Sequence, residues 1–98
     1  MVKRWMVTLS RNALKQAKKL DRRTFRVFDL LVEGLVMNGP VPGSRWLSYG
    51  RLVGKKGEDK RHCHLRKGRP TYVCCWSVDK KQRLIEVYYV GTHEKAPY

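Results

Sequence analysis

The tightest constraint on this chain is at its back end. From Lys60 onward three runs of strand composition follow one another, KRHCHLRK, TYVCCWSV and RLIEVYYVG. Only Gly68-Arg69-Pro70 and Asp79-Lys80-Lys81-Gln82 separate them. Both connections are short and made of residues that turn a chain readily, so the three runs read as a hairpin-linked antiparallel meander. The front half has another period. Residues 2–9 (VKRWMVTL) are rich in β-branched and aromatic types and read as a first strand. Ser10 or Asn12 can cap a helix over 11–20, in which Ala13, Leu14, Ala17 and Leu20 recur at helical spacing. Asp21 caps a second helix with the apolar stripe Phe25, Phe28, Leu31, Val32, Leu35 and Val36, and Asn38-Gly39-Pro40 stops it. Residues 40–58, interrupted by Pro40, Pro42, Gly43, Gly50, Gly54 and Gly57, read as irregular, with Trp46, Leu47 and Leu52 plugging the edge of the core. The expected class is α+β: an N-terminal strand, a helical hairpin, then the meander, in one domain spanning 1–98, with the helices on one face of the sheet. The partner of the first strand is left open by the pattern.

Charge bears on the partner. Lys and Arg number 22 against 8 Asp and Glu, a net +14. That excess points to a polyanion, RNA or DNA first, an acidic protein second, an anionic membrane surface a weaker third. Arg22, Arg23 and Arg26 stand in the first turns of the second helix, where the helix dipole favours acids, which also suits a phosphate or an acidic partner. No run approaches the roughly 18 apolar residues of a membrane span, and no secretory leader is expected. Three cysteines, two of them adjacent, make a poor disulfide framework; reduced thiols and a cytoplasmic location are expected. Cys74 and Cys75 alternate faces on a strand, so at most one is expected in the core.

The histidines are the residues with chemistry to offer. His62 and His64 share one face of their strand, Cys63 points to the other, Lys60 precedes them and Arg66 continues their face. His93 follows the last strand. Three readings compete: ordinary surface histidines in a basic patch, a metal site in which Cys63, Cys74 or Cys75 could join, and acid–base chemistry on a phosphodiester. The charge balance disfavours a dication, since no acid is read as sitting beside these histidines, and no Cys-x-x-Cys pair exists. No metal or cofactor is expected. RNA carries its own nucleophile, the 2′-OH. Its cleavage needs a proton acceptor, cations on the phosphoryl oxygens and a proton donor for the departing 5′-oxygen. Imidazole, with a pKa of about 6.5, suits both proton transfers, and Arg and Lys suit the charge. Tyr72, Trp76, Tyr88 and Tyr89 read as packing residues of the strands, whereas the terminal Tyr98 is free to stack on a base or donate to a phosphate.

The element order, with His62-Cys63-His64-Leu65, the strand 71–78 and the ending Val90-Gly91-Thr92-His93-Glu94-Lys95-Ala96-Pro97-Tyr98, resembles the RelE/ParE superfamily of bacterial toxins, and within it the YafQ branch. The resemblance implies a type II toxin that cleaves mRNA in the ribosomal decoding site, with a cognate antitoxin as partner. It implies His93 as general acid, His64 as base with His62 or a lysine as the alternative, Arg69 on the scissile phosphate, and Tyr98 assisting. Lys60, Arg61, Arg66, Lys67 and Lys95 become the RNA and phosphate contacts. In RelE itself the positions of His62 and His64 look like lysines and that of His93 like an arginine. The chain departs from the YafQ pattern in the turn Arg66-Lys67-Gly68-Arg69-Pro70, which lacks the branch's acidic residue. Two other functions fit the same fold: a gyrase-inhibiting toxin of the ParE kind, which needs no histidine chemistry, and a non-catalytic RNA-binding module.

Overall fold

The computed structural model describes residues 4–52 and 57–97. In chain order these form β1 (Met6–Leu9), α1 (Arg11–Lys18), α2 (Arg22–Asn38), β2 (Leu47–Arg51), β3 (Lys60–Arg66), β4 (Tyr72–Asp79), β5 (Leu84–Thr92) and a single 3₁₀ turn (His93–Lys95). The five strands make one sheet in the order β1-β5-β4-β3-β2. The meander β3-β4-β5 is antiparallel, as the turns require. β1 lies parallel to β5, with Met6–Leu9 opposite Leu84–Val87. Residues 2 and 3 of the expected first strand, together with Gly54 and Tyr98, lie outside the described residues.

β2 is a strand inside the stretch expected to be irregular. It pairs with β3 through Leu47↔His64, Gly50↔His62 and Arg51↔Arg61, with a register shift between Leu47 and Gly50. Ser48 has a positive φ of 53°. That kink and the bulge destroy the alternation by which a strand is recognised in sequence.

The helices begin where their caps predict. Ser10 Oγ accepts from the Ala13 N–H at 3.1 Å, and Asp21 Oδ1 accepts from the Thr24 N–H at 2.7 Å. α2 ends at Gly39, whose φ of 87° and whose closeness to Trp5 exclude a side chain: a Cβ there would stand 2.7 Å from Trp5 Nε1. The buried stripe is narrower than the apolar pattern. α1 buries only Ala13 and Ala17, and α2 buries Thr24, Phe28, Leu31 and Leu35. Leu14 and Phe25, expected inside, are exposed. Each follows its buried neighbour by about 100° around the helix, beyond the arc that a single sheet covers.

The main core lies between helices and sheet, where Phe28, Leu31 and Leu35 meet Cys63, Cys74, Trp76, Ile85, Val87 and Val90. A second cluster, Val73, Cys75 and Tyr89, lies on the other face with Leu52, Tyr88 and Ala96 packed against it. Cys74 and Cys75 therefore alternate faces as expected, yet both are fully buried, because Leu52 and Ala96 cover the second face as well. Burial pushes the Cys63 and Cys75 thiols up to about 12, so these are packing groups rather than nucleophiles. Among the described residues no helix is long and apolar enough to cross a membrane.

Candidate active site

From Arg61 to Leu65 β3 alternates: Arg61, Cys63 and Leu65 are buried toward the helices, while His62 and His64 stand half-buried on the opposite face. Two strand registers bring His93 to His64. Val73 of β4 pairs with His64 on one side and with Gly91 on the other. β5 then closes into the 3₁₀ turn, and two hydrogen bonds hold the junction. The His93 N–H donates to Thr71 O at 2.8 Å, and Tyr89 Oη donates to Thr92 O at 2.7 Å. The His64 and His93 rings meet edge to face, 5.4 Å apart at 81°.

A cavity of about 610 Å³ opens at this pair, lined by His64, residues 68–71, His93 and Glu94. The turn that forms one wall is braced by Thr71, whose Oγ1 accepts from the Gly68 N–H and donates to Gly68 O. Arg69 is part of that wall and is exposed. Burial, then the neighbouring His93, Lys67 and His62, hold the His64 imidazole below its ordinary pKa. Burial and His93 do the same to His62. His64 Nδ1 is buried and forms no hydrogen bond, so proton exchange with a bound molecule falls to Nε2.

The other expected residues separate. His62 lies on the same face one pair further along β3, against Gly50 of β2, and does not line the cavity. Lys60 is at the far end of β3, 3.5 Å from Glu58 and over the Tyr88 ring. Lys67 is exposed on the turn. Lys95 lines a different cavity of about 410 Å³, beside Lys19, Tyr72 and Tyr89. Two expectations are corrected. Arg61 is no free phosphate ligand: it is 6% exposed, forks onto both Asp59 oxygens at 3.0 and 3.1 Å, and donates to Tyr49 Oη at 2.9 Å. Arg66 does not continue the histidine face. A register shift between His64 and Arg66 turns it toward α2, where it meets Asp21 Oδ2 and Thr24 Oγ1, each at 3.4 Å.

Sequence reasoning missed one wall residue. It placed no acid beside the histidines, yet Glu94 lines the cavity with both His64 and His93. The signal was adjacency to His93. Among the described residues no group of three or more His, Cys, Asp or Glu side chains is gathered so as to hold a metal ion.

No family model and no curated protein matches the chain. Solved structures do. A chain of the archaeal RelE-RelB complex from Pyrococcus horikoshii OT3 superposes with a TM-score of 0.75 at 21% identity, over 98% of this chain and 100% of that one. The metal-bound toxin from Helicobacter pylori gives 0.70 at 18% identity, over 93% and 97%. The isolated E. coli RelE toxin gives 0.65 at 15% identity, over 95% and 88%. At these identities the likeness is one of architecture: this chain has the RelE toxin fold.

Proposed function

We propose that this chain is the toxin of a type II toxin–antitoxin pair, and that it cleaves mRNA on the ribosome as a metal-independent endoribonuclease. The observation that supports this reading above all is the His64–His93 pair, 5.4 Å apart and sharing one cavity with Arg69, on the RelE fold.

In this reading His64 Nε2 takes the 2′-OH proton as that oxygen attacks phosphorus. The bond to the 5′-oxygen breaks, and His93 protonates the departing oxygen. The products are a 2′,3′-cyclic phosphate and a 5′-hydroxyl. A base must be unprotonated at working pH, and the environment of His64 favours the neutral ring. Arg69, with Lys67 nearby, neutralises charge on the phosphoryl oxygens. Tyr98 stacks on a base or donates to a phosphate. The +14 chain supplies long-range attraction to rRNA and mRNA, and the same surface suits an acidic antitoxin.

The test is a translation extract programmed with a defined mRNA. Wild type is expected to leave 2′,3′-cyclic ends, and His64→Ala and His93→Ala each to lose roughly 10²–10⁴ in rate. Full retention of cleavage by both variants rejects the roles. RNA binding with a steep salt slope and no cleavage makes the chain a binding module. Inhibition of gyrase supercoiling without cleavage makes it a ParE-like toxin.

A further inference from the structure

Glu94 is out of place in the cavity to which the proposed function assigns a phosphate. Its neighbours on the wall are His64, Arg69 and His93, and the chain carries a large excess of cations. Three other carboxylates are held by cations: Asp59 by Arg61 and Arg51, Glu58 by Lys60, and Asp21, which also caps α2, by Arg66. Among the described residues the Glu94 carboxylate enters no ion pair and no hydrogen bond. Toward a phosphate it is repulsive, so what it suits is an N–H donor. An ionised carboxylate accepts through two oxygens, and its best neutral partner is a pair of adjacent N–H groups.

Single-stranded RNA is read on the Watson–Crick edges of unstacked bases. Guanine alone presents two neighbouring donors there, N1–H and N2–H. Adenine and cytosine set an amino group beside an acceptor, and uracil sets one N–H between two carbonyls. A cavity of about 610 Å³ is large enough for a base as well as its phosphate. Pro70 offers an apolar face beside the imidazoles.

We propose that Glu94 is a specificity-determining residue that selects guanine in the nucleotide next to the phosphate held by His64, Arg69 and His93. The inference rests on the cavity being an RNA site, not on cleavage taking place. The experiment measures binding of short single-stranded RNAs whose central 2′-oxygen is methylated, which removes the nucleophile. One position carries guanine, inosine, adenine, cytosine or uracil, and salt is held constant. Wild type is expected to favour guanine over inosine and adenine by about tenfold, the discrimination typical of one bidentate pair. Glu94→Gln is expected to reduce that preference to about twofold or less, while adenine RNA binds as well as before or better because a negative charge has gone. An equal ranking of bases by wild type, a guanine preference that survives Glu94→Gln, or no binding of any oligonucleotide overturns the inference. Parallel cleavage of unmodified mRNA in the translation extract separates the two readings. Guanine preference without cleavage leaves base selection standing and removes the nuclease. Loss of cleavage in Glu94→Gln with an unchanged base ranking overturns selection and makes the carboxylate a proton acceptor.

Discussion

The junction that delivers His93 is held by a contact tight enough to test quantitatively. A Cβ at Gly91 would lie 2.8 Å from Tyr89 Oη and 3.1 Å from its Cζ. The Tyr89 ring is buried among Val73, Cys75 and Ala96, and its hydroxyl is committed to Thr92 O at 2.7 Å. It cannot swing aside without giving up both. Gly91→Ala therefore costs an overpacking term of about 1–3 kcal/mol and a hydrogen bond of about 1 kcal/mol, together about 2–4 kcal/mol. Tyr89→Phe alone loses only the hydrogen bond, about 1 kcal/mol. In the Tyr89→Phe background the hydroxyl that the added methyl group strikes is gone and only the approach to Cζ remains, so the glycine substitution costs about 1–2 kcal/mol there. The double variant is thus more stable than the sum of the singles predicts, by about 1–2 kcal/mol, well above the scatter of independent sites. Urea unfolding of the four proteins measures this directly, provided the m-value stays constant. Additivity within about 0.5 kcal/mol would refute the reasoning.

Two further outcomes follow from the charges. Arg61→Ala strips Asp59 and Tyr49 of a largely buried partner and is expected to lower stability by about 3 kcal/mol. Arg69→Ala, on an exposed turn, is expected to stay within about 0.5 kcal/mol of wild type while slowing cleavage. Equal urea midpoints for the two variants would show that the basic residues have been wrongly divided. Acidification gives the other outcome. His62 and His64 are held below their ordinary value, so below about pH 6.5 the unfolded chain binds more protons than the folded one and stability falls as pH drops toward the folded values. Asp21 and Asp59 are held below the usual carboxylate range and act only in more acidic solution, so among the described groups with a shifted pKa the histidine effect stands alone between about pH 5 and 7. A urea midpoint that is flat or rising from pH 7 to 5 contradicts it, and the acid limb of cleavage should likewise lie below pH 6.5.

The meander, the helix caps and the shared face of His62 and His64 were legible because each is local: a turn, a cap or a period of two. What escaped the sequence is what depends on parity. A bulge costs one residue and leaves no mark in composition, yet it reverses the face of everything after it. The shift after His64 sends Arg66 to the helices, so a cation counted as a ligand becomes a link between β3 and α2. Charge counting fails for Arg61 for a related reason: the count cannot tell a guanidinium already forked onto Asp59 from one that is free.

The decisive irregularity is on β5. Cys75 pairs with Tyr89 and Trp76 with Val87, so Tyr88 is the extra residue. Before it, Ile85 and Val87 bury against the helices; after it, Tyr89 joins the cluster on the other face and Val90 takes the helix side. Had the alternation run unbroken from Ile85, Tyr89 and Gly91 would face the helices. The Tyr89–Thr92 latch would then form in the core, and β5 would lose the arrangement that brings His93 beside His64. The bulge places the latch on the histidine face, where Val73 stands between His64 and Gly91. A one-residue misalignment of β4 and β5, rather than any motif, therefore makes a pair out of two histidines 29 positions apart in the sequence.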